Sequence, residues 1–483
     1  MLLPFRRVPT TRKEKEMEDR ILDFEGLSAE EAIASPERLC NLIDEKKYSE
    51  LKAEAAEIPA PDLAELFVEI PVKYHAVLFR LLSKEHAAET FVDMDTDAQR
   101  MLIESFSDTE LAEILDELYI DDTVDIIEEM PANVVKRIIK QSAPEDRAVI
   151  NTILKYQKNS AGTVMTTEYV RFVGDMTVEA ALKHIRRVAI DKETIYTCYV
   201  TDRDRHLLGI VTAKDLLLSE PDTELSTIMD ERVVWVHTGD DREDVANKMN
   251  RYGFLAMPVV DSEQRLVGII TVDDALDVII EESEEDFAKM AAITPTETPY
   301  LKTDVFSIWK SRIPWLLLLM ITSTISSTIL SGFEAALPAV LVLFVPMIMG
   351  TGGNSGGQSS VTVTRSISLG EVEFSDLWRV FFKEVRVGIM CAATLGIVTF
   401  AKVVLIDKLL LNNPEITLSV AFIVAASLAV TIIVAKLIGA TLPLLAKKIH
   451  LDPAVMASPL ITTLVDAVSL LVYFAVAKAT LGM

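Results

Sequence analysis

Within Pro459-Leu-Ile-Thr-Thr-Leu-Val-Asp-Ala-Val-Ser-Leu-Leu-Val-Tyr-Phe474, one carboxylate, Asp466, interrupts a run that is otherwise apolar or hydroxyl-bearing. A helix needs roughly 20 apolar residues to cross a bilayer core, and the run around Asp466, residues 454–481, is long enough. An ionised carboxylate in hydrocarbon is costly, so such an Asp faces a partner or an ion path. Four more apolar runs precede it, at 313–330, 335–349, 385–406 and 416–445. The second is short but extends through Gly350-Thr-Gly-Gly-Asn-Ser-Gly-Gly-Gln-Ser-Ser360, so five crossings are expected. That stretch reads either as a close helix contact or loop, or as irregular backbone lining a wet cavity. Under the second reading Asn354 lines a pore. Asp452 precedes Pro453 at a helix start, where N-capping is its ordinary role, and it is also a candidate at the pore mouth.

Charge is divided unequally along the 483 residues. The net charge is −26 and the mean hydropathy +0.29, with 50% apolar and 25% charged residues, a mixture foreign to one soluble globule. Residues 301–483 hold 13 Lys/Arg against 10 Asp/Glu, leaving 34 against 63 in residues 1–300. So acidic a soluble half repels phosphate backbones and excludes nucleic acid as a partner; cations suit it better. Arg365, Arg379, Lys383 and Arg386 follow the second run and Lys447 and Lys448 the fourth, which places those loops in the cytoplasm. The acidic half is then cytoplasmic, the C-terminus outside, and the protein a multi-pass protein of the cell (inner) membrane. The N-terminal MLLPFRRVPTTRKEKEMEDR lacks the apolar stretch of a signal peptide. Cys40, Cys198 and Cys391 match no zinc or redox spacing.

Two repeats organise the soluble half. Ile70, Leu82, Met94, Phe106, Leu118 and Met130 recur every twelve residues, each preceded by an apolar residue three positions earlier and most followed by a break such as Pro71, Ser83, Asp95, Ser107 or Pro131. This suits a string of short helices, an all-α solenoid. Further on, Gly162-Thr-Val-Met165 returns as Ser226-Thr-Ile-Met229, and Leu208-Gly-Ile-Val-Thr-Ala-Lys-Asp215 returns as Val267-Gly-Ile-Ile-Thr-Val-Asp-Asp274. A duplicated β-α-β-β-α unit is implied, and it resembles a tandem pair of CBS domains. The resemblance implies adenine-nucleotide binding, ATP included, at Thr-x-x-Asp, here Thr212/Asp215 and Thr271/Asp274. The second copy runs into a helical segment bearing Asp273, Asp274, Asp277, Glu281, Glu282, Glu284, Glu285 and Asp286, an oxygen-only set suited to Mg²⁺ or Ca²⁺.

The order of these parts resembles the MgtE family of magnesium channels over nearly the whole chain. The expected domains are a helical solenoid (1–155), a CBS pair (156–275), an acidic connecting "plug" helix (276–305) and a five-helix transmembrane pore domain (306–483). The resemblance implies a homodimer with a pore on its two-fold axis, Asp466 of each subunit binding hydrated Mg²⁺, and closure by intracellular Mg²⁺. Carried over, the regulatory ligands are Glu89, Asp121, Asp125, Asp241, Glu243, Asp274, Asp277, Glu282, Glu285 and Asp286. Departures from the family pattern are Gly253, where an acid can stand, Lys214 and Thr197 in the first CBS copy, and Ser469 after Asp466. The function expected is Mg²⁺ uptake without covalent chemistry. Alternatives are a broader channel for Co²⁺, Mn²⁺ or Ca²⁺ and a non-conducting CBS-based sensor. An intramembrane metalloprotease needs His-Glu-x-x-His, and residues 301–483 hold only His450.

Overall fold

The computed structural model describes residues 35–189, 192–296, 300, 301, 303–334, 338–456 and 458–481. The stretch searched for a signal peptide lies outside them. The chain divides into two compact units, the first ending at Leu276 and the second beginning at Asp277.

Among the described residues, the first unit begins with ten short helices, from Pro36–Asp44 to Pro144–Ile153. The breaks in the twelve-residue repeat are their N-caps: Pro71, Ser83, Asp95, Ser107 and Pro131 each occupy that position. The Ser83, Asp95 and Ser107 side chains accept from backbone N–H groups three residues on, satisfying donors that a helix start leaves orphaned. Phe67, Phe79 and Phe91, one per repeat, are buried and meet edge to face, with Phe106 closing the ladder. No helix of ten residues is stable alone in water; this shared seam holds them.

Among the described residues, six strands follow as two like sheets. In the first, β1 (Tyr169–Val173) runs parallel to β2 (Thr194–Thr201), which pairs antiparallel with β3 (Leu207–Thr212). In the second, β4 (Val236–His237), β5 (Ala256–Val260) and β6 (Leu266–Thr271) repeat the pattern. The copies exchange segments: Thr166 bridges to Ile269, and Asp230 to Ile210. This explains the duplicated motifs. A Cβ at Gly268 would meet Met165 Sδ at 2.7 Å, and one at Gly209 would meet Met229 Sδ at 2.9 Å, so each copy's methionine packs over the other copy's glycine. Gly253 ends the helix Arg242–Tyr252 at φ +66°, a left-handed C-terminal position that glycine takes without strain.

The acidic helix Val272–Met290 spans the boundary between the units. Beyond it, among the described residues, five segments are long and apolar enough to cross a membrane: Val305–Phe333, Ala339–Ser368, Phe374–Leu410, Leu418–Lys448 and Pro453–Leu481, in accord with the five runs. Leu341, Phe344, Ile348, Val424, Leu428, Ile432, Tyr473 and Phe474 form their common core. The glycine-rich stretch differs from the irregular backbone that a wet lining suggested: it is continuous helix, Val345–Ser368. A Cβ on Gly356 would lie 2.9 Å from Val465 Cγ2 and 3.1 Å from the Ala435 carbonyl, and Gly439 faces the Gly356 backbone directly. These glycines let the second and fourth apolar helices approach backbone to backbone and let side chains of the fifth pack onto the second, the packing mode of apolar bundles in lipid.

Candidate functional site

Two constellations carry chemistry. On the second apolar helix, Asn354, Gln358, Val361, Thr362 and Arg365 are exposed, while Gly352, Gly353, Gly356, Gly357, Ser359 and Ser360 are buried. The exposed face is a stripe at spacings of three and four, and its Asn354, Gln358, Val361 and Thr362, with Gly353, Gly357 and Thr462, line a groove of about 710 Å³. Asp466, one turn beyond Thr462, is half-buried; its Oδ1 is buried without a hydrogen-bond partner among the described residues and lies 3.3 Å from where a Gly353 Cβ would stand. Asn354 and Asp466 are thus brought to neighbouring turns of facing helices.

Asp452 stands elsewhere and has two duties. Its Oδ1 accepts from Ala454 N–H at 2.8 Å, the cap expected of it, and its Oδ2 pairs with Lys289 Nζ at 2.6 Å. Lys289 also pairs with Glu285 at 2.6 Å, and Ser368 donates to Asp286 at 2.9 Å. Burial opposes the Lys289 charge, but Asp452 and Glu285 outweigh it and hold the ammonium above its usual pKa. Burial raises the Asp286 carboxyl, with Asp452 adding repulsion. The end of the acidic helix is therefore tied by a lysine that the sequence reading left unassigned.

In the first unit, Asp121 is buried, 6% exposed, and its Oδ1 has no partner among the described residues; the same holds for Glu193 Oε2. Burial, then Asp274, drive the Asp121 carboxyl well above the carboxylate range. The same two causes push Asp122 up to about 7 and Glu193 up to about 8, Asp273 contributing to both. Glu168 is raised by burial despite bonds from Thr166 Oγ1 at 2.8 Å and Ile120 N–H at 3.3 Å. These acids share one basin. Its donors are oxygens, the hard ligands that Mg²⁺ and Ca²⁺ take, and the orphaned oxygens are what a cation would satisfy. Asp121 and Asp274 were expected here. Glu168 and Glu193 were missed, since neither stands in an acidic run; Asp273 was read only within the acidic helical segment, and Asp122 was not among the expected ligands.

The other expected ligands lie on several different elements. Glu89 is exposed and lies 3.9 Å from His86 Nδ1, and Asp125 is exposed. Asp241 caps its helix, accepting from the N–H groups of Glu243 and Asp244. Asp277 and Glu282 lie on the acidic helix. Thr212 and Asp215 form a capping box, with Thr212 Oγ1 donating to Asp215 Oδ2 at 2.6 Å, and Thr271 and Asp274 repeat that bond. The Thr-x-x-Asp pattern thus builds a helix start in both copies. Asp202, Asp204 and His206 also cluster, but Asp202 accepts from the N–H groups of Asp204 and His206, and Asp261 does the same for Glu263 and Arg265 in the second copy. It is a repeated turn.

The chain matches three family models: "Divalent cation transporter" (MgtE) over residues 345–476, "MgtE intracellular N domain" over 58–159, and "CBS domain" over 161–221 and 225–281. It is 37% identical to the magnesium transporter MgtE of Thermus thermophilus, covering 88% of this chain and 94% of that protein. Identity to the magnesium transporter MgtE of Bacillus subtilis is 32%, over 92% and 96%. A crystal structure of the cytosolic domain of the Mg²⁺ channel MgtE in complex with ATP matches 50% of this chain and 98% of that one, at 38% identity and a TM-score of 0.48.

Proposed function

Because the chain belongs to the MgtE family of divalent cation transporters, we propose that it conducts Mg²⁺ into the cell as a homodimer, through a path walled by the second apolar helix and Asp466. The observation that carries this is the exposed stripe Asn354, Gln358, Thr362 and Arg365 on a helix whose other face is packed. Lipid is a poor solvent for such a stripe. A second copy set against the groove encloses it as a water-filled path.

Mg²⁺ gives up water reluctantly and travels with much of its shell. Asn354, Gln358 and Thr362 offer hydrogen-bonding groups to that shell, and the Asp466 of each subunit supplies one negative charge, balancing one divalent ion. Mg²⁺ is also the proposed regulator. It would be held in the basin of Asp121, Asp122, Glu168, Glu193, Asp273 and Asp274, with Asp277, Glu282, Glu285 and Asp286 along the acidic helix, which acts as a plug; Glu89, Asp125, Asp241 and Glu243 complete the set. The helical repeats serve as a solenoid scaffold that approaches the CBS pair when the ion binds. Cytoplasmic placement of both, with the C-terminus outside, follows from the basic loops. An adenine nucleotide such as ATP is the second ligand proposed, at the CBS pair beside Thr212 and Asp215; direct binding of ATP to the full chain tests it.

The test of transport is Mg²⁺ uptake into liposomes holding the purified chain, with Co²⁺, Mn²⁺ and Ca²⁺ in parallel to set selectivity. Asp466→Asn keeps the side chain's shape and should abolish or strongly reduce uptake while the dimer stays intact. Near-normal uptake through a well-folded Asp466→Asn protein overturns the path.

A further inference from the structure

Lys436 is the sole charged residue between Leu418 and Leu445, and it is 5% exposed inside the bundle. An ammonium there persists only with compensation, and a buried ionisable group at membrane depth marks function by default. Its Nζ donates to Ser359 Oγ at 3.3 Å, and Ser359 Oγ in turn donates to Glu384 Oε2 at 2.7 Å. The chain of bonds crosses three apolar helices. Ser359 is the residue next to Gln358, but it faces into the bundle, 3% exposed, where Gln358 faces the groove.

We propose that Lys436 and Glu384, joined through Ser359, are specificity-determining residues that set the potential in the ion path from behind its wall. The inference rests on the transport reading above and adds a pair of charges to it. While both are present their net charge is zero, and they leave the potential set by the path's own charges, Asp466 and Arg365, unchanged. Removing one uncovers the other. A helix is about 10 Å across, so the uncovered charge stands about 10 Å from a cation in the groove. At an effective dielectric of about 40, between the protein-surface and water limits, it changes the occupancy of a monovalent cation about fourfold. The energy is linear in the ion's charge, so the change for a divalent cation is the square, about fifteenfold.

The sign is the diagnostic. Glu384→Gln leaves the ammonium uncovered and should raise the half-saturating Mg²⁺ concentration for liposome uptake by about fifteenfold. Lys436→Met leaves the carboxylate and should lower it. The double variant should return close to wild type. Melting of the purified protein is measured on all three; each single variant should melt below the double, because each strands one charge in the bundle. Should Lys436→Met fail to fold, Glu384→Gln against the double carries the comparison. Shifts of the same sign in both single variants, or losses that add in the double, overturn the pair. Absence of Mg²⁺ flux in the wild type refutes the transport reading instead, and the melting comparison, which needs no flux, still decides whether the two charges are coupled.

Discussion

Gly439→Ala places a methyl group against the Gly356 backbone. The added Cβ would stand 2.9 Å from the Gly356 carbonyl carbon and 3.1 Å from its Cα, with the carbonyl oxygen closer still. Ordinary contact begins near 3.4 Å, and no side chain is present to rotate away, so the second and fourth apolar helices must part by on the order of 1 Å. Overpacking of this kind costs about 1–3 kcal/mol. Association of helices in lipid rests on packing itself rather than on burial from water, so little offsets the loss. For a unit of this size, roughly 200 residues, 2 kcal/mol corresponds to a fall in Tm of about 4–8 °C. Gly350→Ala is the control: a Cβ there meets nothing within 4 Å, and alanine's helix preference favours it by up to about 1 kcal/mol. Thermal melting of the two purified variants decides. A Gly439→Ala protein melting with the wild type would refute the claim that these helices touch backbone to backbone.

Without Mg²⁺, Asp122 makes folding pH-dependent. Its folded pKa of about 7 lies above the unfolded 3.8, so the folded form holds more protons between about pH 4 and pH 7 and stability falls as pH rises through that window, by on the order of 4 kcal/mol. Asp122→Asn should therefore melt above wild type at pH 8 and match it near pH 4, with the gap closing when Mg²⁺ is added; a gap independent of pH contradicts the basin. Lys289→Met leaves Glu285 and Asp452 facing each other without their shared ammonium. Proteolysis near residues 275–295 should then be faster than in wild type at low Mg²⁺ and equal at high Mg²⁺, and equal rates throughout would show the lysine to be idle.

Much of the architecture was legible because it is written in local periods. A twelve-residue beat of apolar residues and capping residues yields short helices whichever way they later pack, and a run of roughly 20 apolar residues has few fates besides a membrane helix. The CBS repeat was readable for a related reason: its glycine and methionine recur together because each pair must interlock between copies. The glycine-rich segment was harder. Glycine favours loops in water, and only the close approach of Ala435, Gly439 and Val465 shows that here it is helix made thin enough for its neighbours.

By itself the sequence determined the order of parts, the number of apolar helices, the acidity of the first half and the oddity of Asp466, all readable from composition and from local patterns without knowing which segments meet. Tertiary structure alone decided that Glu193 feels the charges of Asp121 and Asp274, about 70 and 80 residues away, that Lys289 reaches Asp452, and that Lys436 is answered by Glu384. The physical reason is range. Helix formation and hydrophobic patterning are settled within a few turns, whereas the free energy of a charge depends on every group packed around it, and those groups come from segments that only the folded chain brings together.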